Sequence, residues 1–380
     1  MQNRPSLTTG SISRGLLLFT LPILFGNVLQ SLNGSINSIW VGRYLGEAAL
    51  SATANANIVM FLLLGGVFGL SMAATVLVGQ YIGAENYPQA KRVVGTSTTF
   101  FFLLSMIIAA LGWVFCEPLL RAMSVPADTL APAMAYMRVI FLALPFMYLY
   151  AFVMAVLRGA GDSRTPMYFL LLSVALDIAL NPLLIFGWGI IPAFGIAGSA
   201  LATLIAQLVS LVALLVFLYK RKHPLVLHSG EQRQLAIDWT IAGTLIRKGI
   251  PMGLQIMVIS FSGVLMMTLV NRFGVDTTAA YGAALQIWNY IQMPAFAVGM
   301  AVSAMAAQNV GAAQWDRVRA TARVGVMYSL LLTGTIVLSV EIFSQQALGL
   351  FLPKDSAALQ LAEHLNRISV CKPAVLSPQV

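Results

Sequence analysis

Asp177 is the residue in this sequence whose chemistry is least expected in its surroundings, because it lies in the middle of a long apolar stretch. An acidic side chain is costly to bury among apolar groups, so one found there is a candidate for function. A carboxylate can bind a proton or Na⁺ reversibly and is neutralised by either. Asn181 follows four residues later, on the same face of a helix. The sequence therefore predicts an ion-coupling site at Asp177 with Asn181 beside it.

Further amide and hydroxyl side chains interrupt other apolar stretches. Gln30, Asn33 and Asn37 follow one another at helical spacing near the amino terminus. Lipid cannot satisfy amide groups, so this stripe is expected to face the protein interior. Asn37 is predicted to belong to the ion-coupling site, and Gln30 and Asn33 are candidates for lining the substrate cavity. Thr203 and Gln207 lie one turn apart in a later stretch. They are candidates for lining the substrate cavity and for supplying oxygens to Na⁺ near the carboxylate.

A third polar group lies in the second half of the chain. Gln286, Asn289 and Tyr290 combine amides with an aromatic ring, a set that can hold flat organic cations by stacking and cation–π contacts. The three histidines show no metal-ligand spacing, and no nucleophile–base pair or phosphate-binding loop is present. We therefore expect no enzyme, no ATP-driven pump, no cofactor and no metal other than Na⁺.

The composition indicates where these residues must be positioned. Of the 380 residues, 59% are hydrophobic and only 9% are charged, whereas soluble domains carry roughly 25% charged residues. This excludes a soluble globular protein, a disordered chain and a nucleic-acid binder, despite a net charge of +9. Two cysteines cannot form a disulfide framework. The chain is predicted to be an all-α polytopic membrane protein.

Apolar runs of bilayer-spanning length predict nine spans, and a tenth begins near Leu359 and is then interrupted. The nine spans are predicted at residues 15–39, 48–76, 93–116, 132–157, 165–188, 191–219, 241–271, 278–307 and 321–344.

The distribution of lysine and arginine predicts the orientation. Fifteen of these residues lie at the amino terminus and in the loops after spans 2, 4, 6 and 8, against six on the opposite side. Because basic loops remain in the cytoplasm, the amino terminus and the loop around 220–240 are predicted to be cytoplasmic. The positive charge is thereby explained without nucleic acid.

The chain also repeats itself at a long period. Leu21-Pro22-Ile23 recurs as Ile250-Pro251-Met252, and three further short matches follow in order at a spacing of 227 to 229 residues. Six spans separate the copies, so both have the same membrane orientation, as in transporters built from parallel repeats. The repeat predicts two pseudo-symmetric helical lobes that enclose a cavity able to open to either side.

The repeat divides the chain into an amino-terminal six-helix lobe at 1–219, a basic cytoplasmic linker at 220–240 and an incomplete second lobe at 241–370. The tail at 371–380 carries a lysine and two prolines where the repeat predicts the middle of a span. We interpret this tail as aberrant. A truncated or frame-shifted sequence is the first explanation, and a natural ten-span protein is the alternative.

Two motifs resemble those of the multidrug and toxic compound extrusion (MATE) transporters. The first is Val78-Gly79-Gln80-Tyr81-Ile82-Gly83-Ala84-Glu85-Asn86, and the second is Leu157-Arg158-Gly159-Ala160-Gly161-Asp162-Ser163-Arg164-Thr165-Pro166. Leu180-Asn181-Pro182-Leu183-Leu184-Ile185-Phe186 also looks like the family pattern. The resemblance extends over about 15–370 and implies a fold of six plus six spans, of which about nine or ten are present here.

The resemblance implies an antiporter that exports organic cations, drugs or metabolites in exchange for H⁺ or Na⁺. It implies a monomer in the lipid bilayer of the bacterial inner membrane. The family commonly has aspartate where this chain has Asn37, and one branch has asparagine before aspartate where this chain has Asp177 before Asn181. Another branch uses a glutamate on span 7, which is absent here. The two aspartate differences weaken the carry-over of a mechanism with two aspartates, and the absent glutamate leaves a cation site in the second lobe unsupported.

Other functions remain open at this point. A flippase for lipid-linked saccharides would share the architecture but would be expected to have a strongly cationic cavity. An inactive remnant would follow from the missing spans. A major-facilitator transporter would also have parallel repeats, but the loop from Gly79 to Arg92 lacks the Asp-Arg-x-Gly-Arg pattern. The exported compound and the choice between H⁺ and Na⁺ are left open.

Overall fold

The computed structural model describes residues 7–123, 125, 127–189, 192–349 and 359–365. Over these ranges the named elements are helices. They are α1 (Ile12–Leu45), α2 (Glu47–Gly83), α3 (Tyr87–Val114), α4 (Cys116–Ala122), α5 (Ala127–Gly159), α6 (Arg164–Phe186), α7 (Ile196–Lys220), a 3₁₀ helix (Ser229–Leu235), α8 (Trp239–Val270), a second 3₁₀ helix (Asn271–Phe273), α9 (Val275–Gly311), α10 (Trp315–Ile342) and α11 (Ser344–Leu348).

Nine helices within the described ranges are long and apolar enough to cross a bilayer. The prediction of an all-α polytopic membrane protein is confirmed. Several helices continue past the predicted ends; α2, predicted at 48–76, runs to Gly83. Hydropathy marks only the apolar part of a helix, whereas its hydrogen bonding continues into the polar region. Residues 359–365 are helical, and the rest of the predicted tenth span and the tail at 371–380 lie outside the described residues.

The sequence repeat has a counterpart in helix geometry. Helices α2 and α9 each have 37 residues, and α3 and α10 each have 28. Gly46 before α2 and Gly274 before α9 have φ of 86° and 98°, and Glu85 and Ala313 after these helices have φ of 54° and 55°. Equivalent positions therefore take the same uncommon backbone conformation. The residue limits of the lobes stay predictions.

Buried side chains tie the helices of the first copy together. Phe101, Tyr148 and Phe152 lie in a core shared by α2, α3 and α5. Tyr150 and Leu214 lie in a second core between α5 and α7. Helix α1 packs against α6 within its own copy and against α9 of the other copy. Helix α6 also packs against α7, so α1, α6 and α7 stand side by side.

The linker between the copies is fastened to α3. Lys91 Nζ lies 2.7 Å from Glu231 Oε1, and Arg92 Nε lies 2.9 Å from Asp238 Oδ2. The hydrogen bond from Lys91 holds the pKa of Glu231 below its usual value, and the bond from Arg92 does the same for the pKa of Asp238. A Cβ atom added at Gly95 would lie 2.6 Å from the carbonyl carbon of Gln234. This close approach requires glycine.

We call the end of the molecule that carries residues 158–164 and 220–238 the basic end. It is the end that the charge distribution predicts to be cytoplasmic.

Candidate functional site

The start of α6 is fixed by a local turn. Asp162 Oδ1 accepts hydrogen bonds from the backbone N–H groups of Arg164 and Thr165, both at 3.0 Å. The side chain thus satisfies amide groups that the first turn of a helix leaves free. Gly161 has φ of 89°, a left-handed conformation that favours glycine. The turn sets where Asp177 stands, thirteen residues further along α6.

Asp177 is buried at the junction of three helices. Its side chain is 2% exposed. Oδ2 accepts hydrogen bonds from Asn33 Nδ2 at 2.8 Å and from Asn37 Nδ2 at 2.9 Å, both on α1. Oδ1 accepts a hydrogen bond from Thr203 Oγ1 on α7 at 3.1 Å. All three groups donate to the carboxylate, an arrangement that stabilises its ionised form.

Asn181 links the carboxylate to α1. Its Nδ2 donates to Asn37 Oδ1 at 2.7 Å and to the backbone oxygen of Asp177 at 3.0 Å. The side-chain oxygens of Asn33 and Asn181 are buried and have no hydrogen-bond partner. We refer to Asp177, Asn33, Asn37, Asn181 and Thr203 as the Asp177 cluster.

The Asp177 cluster combines one carboxylate with two unpartnered amide oxygens. In the part of the chain that the structure describes, no lysine, arginine or histidine forms an ion pair with Asp177. The same part contains no group of three or more His, Cys, Asp or Glu residues suited to a metal ion. The set of oxygens suits a proton or a hard monovalent cation better than a transition metal.

The other predicted residues form no described hydrogen bond with the Asp177 cluster. Gln207 is one turn beyond Thr203 on α7, and its Oε1 is buried without a partner. Gln30 is exposed on α1. On α9, Gln286 Nε2 donates to Tyr290 Oη at 3.3 Å, and Asn289 and Tyr290 are exposed. No described hydrogen bond joins these side chains to Asp177.

Sequence reasoning missed two aromatic features near the Asp177 cluster. Tyr136 on α5 is close enough to Asp177 for an electrostatic interaction. Trp40, Tyr44 and Phe186 pack together beyond it, with ring centroids 5.2 to 6.4 Å apart. Trp40 and Tyr44 continue the spacing of Asn33 and Asn37, so periodicity could have identified them. Tyr136 carries no such signal, because only the packing of α5 brings it close.

The two copies meet backbone to backbone at the basic end. A Cβ atom added at Gly83 would lie 2.6 Å from the carbonyl carbon of Gln308, and one added at Gly311 would lie 2.7 Å from that of Gln80. Gly83 and Gly311 are equivalent in the repeat, so the contact is pseudo-symmetric. Gln308 Nε2 also donates to the backbone oxygen of Gly159 at 2.8 Å. These contacts close the basic end.

The amino-terminal segment reinforces this closure. Leu7 donates its backbone N–H to Gln308 Oε1 at 3.1 Å, and its oxygen accepts from Asn309 Nδ2 at 3.2 Å. Arg317 donates to Asn309 Oδ1 and to the backbone oxygen of Gly10, both at 3.0 Å. The segment before α1 is therefore held by the second copy.

Comparisons with known proteins agree with this architecture. The MatE family model matches residues 22–183 and 251–379. The probable multidrug resistance protein YoeA of Bacillus subtilis is 39% identical over 360 residues, covering 95% of this chain and 78% of that protein. A FAD transporter of Shewanella oneidensis is 26% identical over 379 residues, covering 100% and 82% of the two chains.

A crystal structure of MATE in complex with MaD3S superposes with a TM-score of 0.89 at 21% identity, covering 98% of this chain and 82% of that one. The family match, the sequence relatives and the fold agree. The chain belongs to the MatE family and is a multi-pass membrane transporter, not an enzyme.

Proposed function

We propose that the protein is a secondary antiporter that exports organic cations, drugs or metabolites in exchange for H⁺ or Na⁺ by alternating access. The observation that carries this proposal is the buried, unpaired carboxylate of Asp177. It is held by donors from α1 and α7 and lacks a cationic partner in the described chain.

The Asp177 cluster is suited to binding either a proton or Na⁺ at the same place. When a proton binds, the carboxyl becomes a donor and needs an acceptor, which the unpartnered oxygen of Asn33 or Asn181 supplies after a rotation of the amide. When Na⁺ binds, the same oxygens and the carboxylate form the ligand set. Both cations neutralise Asp177 and change its bonds to α1. Binding is thereby linked to the position of α1, which packs against both copies.

The single negative charge favours an organic cation as the exported compound. The exposed groups Gln30, Asn289 and Tyr290 are candidates for contact with that compound. One relative is named a FAD transporter and another a probable multidrug resistance protein. Anionic metabolites are therefore the second substrate class to test. We assign the basic end to the cytoplasm of a bacterial inner membrane and expect a monomer.

The test is transport by purified protein in proteoliposomes, driven separately by a proton gradient and by a Na⁺ gradient. Asp177→Asn is expected to abolish gradient-driven accumulation of an organic cation, because a neutral amide cannot exchange cations. The matched control is Thr203→Ser, which keeps the hydroxyl donor. Retained coupled transport by Asp177→Asn, with normal protein amounts, would refute the role of Asp177. Transport of FAD but not of the organic cation would assign the metabolite class.

A further inference from the structure

Polar side chains without partners continue from the Asp177 cluster toward the basic end. Gln207 and Ser210 follow Thr203 on α7 by four and seven residues, so all three share one face of the helix. Gln207 Oε1, Ser210 Oγ and the hydroxyl of Tyr150 on α5 are each buried and have no hydrogen-bond partner. We refer to Gln207, Ser210 and Tyr150 as the polar file.

The heights of these residues form a descending series. At 1.5 Å per residue, Gln207 and Ser210 lie about 20 Å and about 15 Å from the last residue of α7 at the basic end. By the same measure Tyr150 lies about 14 Å from the end of α5. Tyr150 packs in one core with Leu211 and Leu214, which belong to the turns of α7 that follow Ser210. The polar file therefore leads from the level of Thr203 toward the basic end.

The polar file is unfavourable in a dry interior. A buried hydroxyl or amide oxygen without a partner costs about 1–3 kcal/mol. Ser210 is 0% exposed and Tyr150 is 5% exposed, so bulk solvent does not reach them. Buried polar groups that have no partner in the protein are the usual partners of buried water, which makes about three hydrogen bonds. Ser173 is buried on α6, one turn nearer the basic end than Asp177, and adds another hydroxyl between the Asp177 cluster and the basic end.

A positive charge stands at the lower end of the polar file. Arg158 lies in the last turn of α5 and is close enough to interact electrostatically with Tyr150. No described acidic side chain pairs with it. Arg158 therefore marks the place where the polar file meets the basic end.

We propose that the polar file is a buried water path through the first copy, along which the proton released by Asp177 reaches the basic end. In this step the O–H bond of the protonated carboxyl breaks, its electron pair stays on the carboxylate, and the proton passes to water and leaves past Arg158. The direction of proton flow rests on the proposed function. The hydration of the file does not.

The first experiment tests hydration without transport. Purified protein in nanodiscs is exposed to a synchrotron X-ray pulse, and hydroxyl-radical products are located by mass spectrometry. Tyr150 is expected to be modified several-fold more than Tyr148, since radicals form from bound water. Tyr148 is the matched control, because it lies two residues away, is 1% exposed, and donates its hydroxyl to the backbone oxygen of Leu63 at 3.2 Å. Equal, low modification of both tyrosines would overturn the proposal.

The second experiment tests proton movement. Tyr150→Phe and Ser210→Ala remove only an oxygen atom each, and Ser97→Ala is the control for a buried, unpartnered serine on α3, outside the file. In proteoliposomes, proton movement driven by tetraphenylphosphonium is expected to slow about tenfold in the file variants. Exchange of tetraphenylphosphonium without a gradient should stay at the wild-type rate. Wild-type proton movement in both file variants would overturn the proposal.

The two proposals fail in distinguishable ways. If the wild-type protein moves no protons with the cation but Tyr150 is strongly modified, the coupling assignment fails and the water path stands. If the wild type couples cation and proton but Tyr150 is unmodified and both file variants are normal, the water path fails and the role of Asp177 stands.

Discussion

Alanine at Gly83 is expected to hold the two copies apart at the basic end. The added Cβ would lie 2.6 Å from the carbonyl carbon of Gln308, about 0.8 Å nearer than the 3.4 Å at which ordinary van der Waals contact begins. The obstacle is helix backbone, which cannot rotate away as a side chain can. Gly311→Ala tests the symmetric contact with Gln80. Relief of either clash requires the helices α2 and α9 to separate.

The energetic effect follows from packing and lost hydrogen bonds. Overfilling a close-packed contact costs about 1–3 kcal/mol. Separation also stretches the bonds of Gln308 to Gly159 and Leu7, each worth about 0.5–1.5 kcal/mol. A change of 1–3 kcal/mol shifts a two-state equilibrium by about 5- to 150-fold. If the wild-type equilibrium favours the state with a closed basic end only modestly, that state should therefore lose most of its population in the variant.

The assay is a distance measurement by double electron–electron resonance. Spin labels at Gln89 and Asp316, both exposed, report on the two copies across the closure. Cys116 and Cys371 are first replaced to leave no other thiol. The Gly83→Ala protein is expected to show a larger share of long distances than wild type, together with slower coupled transport.

Gly299→Ala is the matched control, because Gly299 lies on α9 and a Cβ added there meets nothing within 4 Å. It should give the wild-type distance distribution. Identical distributions for Gly83→Ala, Gly311→Ala and Gly299→Ala would refute the reasoning that the glycine contacts close the basic end.

Three further predictions concern the Asp177 cluster, the linker and the start of α6. Thr203→Val removes a hydrogen bond to the Asp177 carboxylate, and a hydrogen bond to a charged group is worth about 1.5–3 kcal/mol. Gradient-driven uptake should therefore fall at least about tenfold in Thr203→Val, whereas Thr203→Ser should transport normally. Lys91 lowers the pKa of Glu231 below its usual 4.5, so docking of the linker on α3 should persist above that pH and weaken as the pH falls below it. Pepsin cleavage of the linker, divided by the cleavage of an unstructured peptide at the same pH, should therefore rise below that pH in wild type. Glu231→Gln should be cleaved readily at every pH and show no such rise. Asp162→Ala should lower the free energy of unfolding by about 0.5–2 kcal/mol, because it removes the cap of α6. Asp162→Asn keeps the acceptor oxygen, so thermal unfolding should show a smaller drop in its unfolding temperature.

The order of the spans and their grouping into two copies were predictable from the sequence. Hydropathy over about 20 residues is a local property, because the bilayer sets the length of each span. The recurrence of Pro22 as Pro251 and of Gly83 as Gly311 shows the repeat without any coordinates. The cost of an isolated carboxylate in an apolar helix also identified Asp177 as a candidate.

The partners of Asp177 were decided by tertiary structure. Helical periodicity assigns Asn33 and Asn37 to one face of α1, but it does not say which helix that face meets. The packing of α1 on α6 brings both amides to Oδ2 of Asp177, and the packing of α7 brings Thr203 to Oδ1. Gln207 carries an amide, as Asn33 and Asn37 do, and lies one turn from Thr203 on α7, yet it has no described hydrogen bond to Asp177.

The closure of the basic end was likewise beyond the sequence. The sequence shows that Gly83 recurs as Gly311, but the contact of Gly83 with Gln308 joins residues more than 200 positions apart. The sequence by itself determined the membrane spans, the repeat and the acidic residue, because each depends on local composition or on comparison along the chain. Only the tertiary structure decided which faces meet, because crossing angles and distances between helices depend on all the side chains that pack between them.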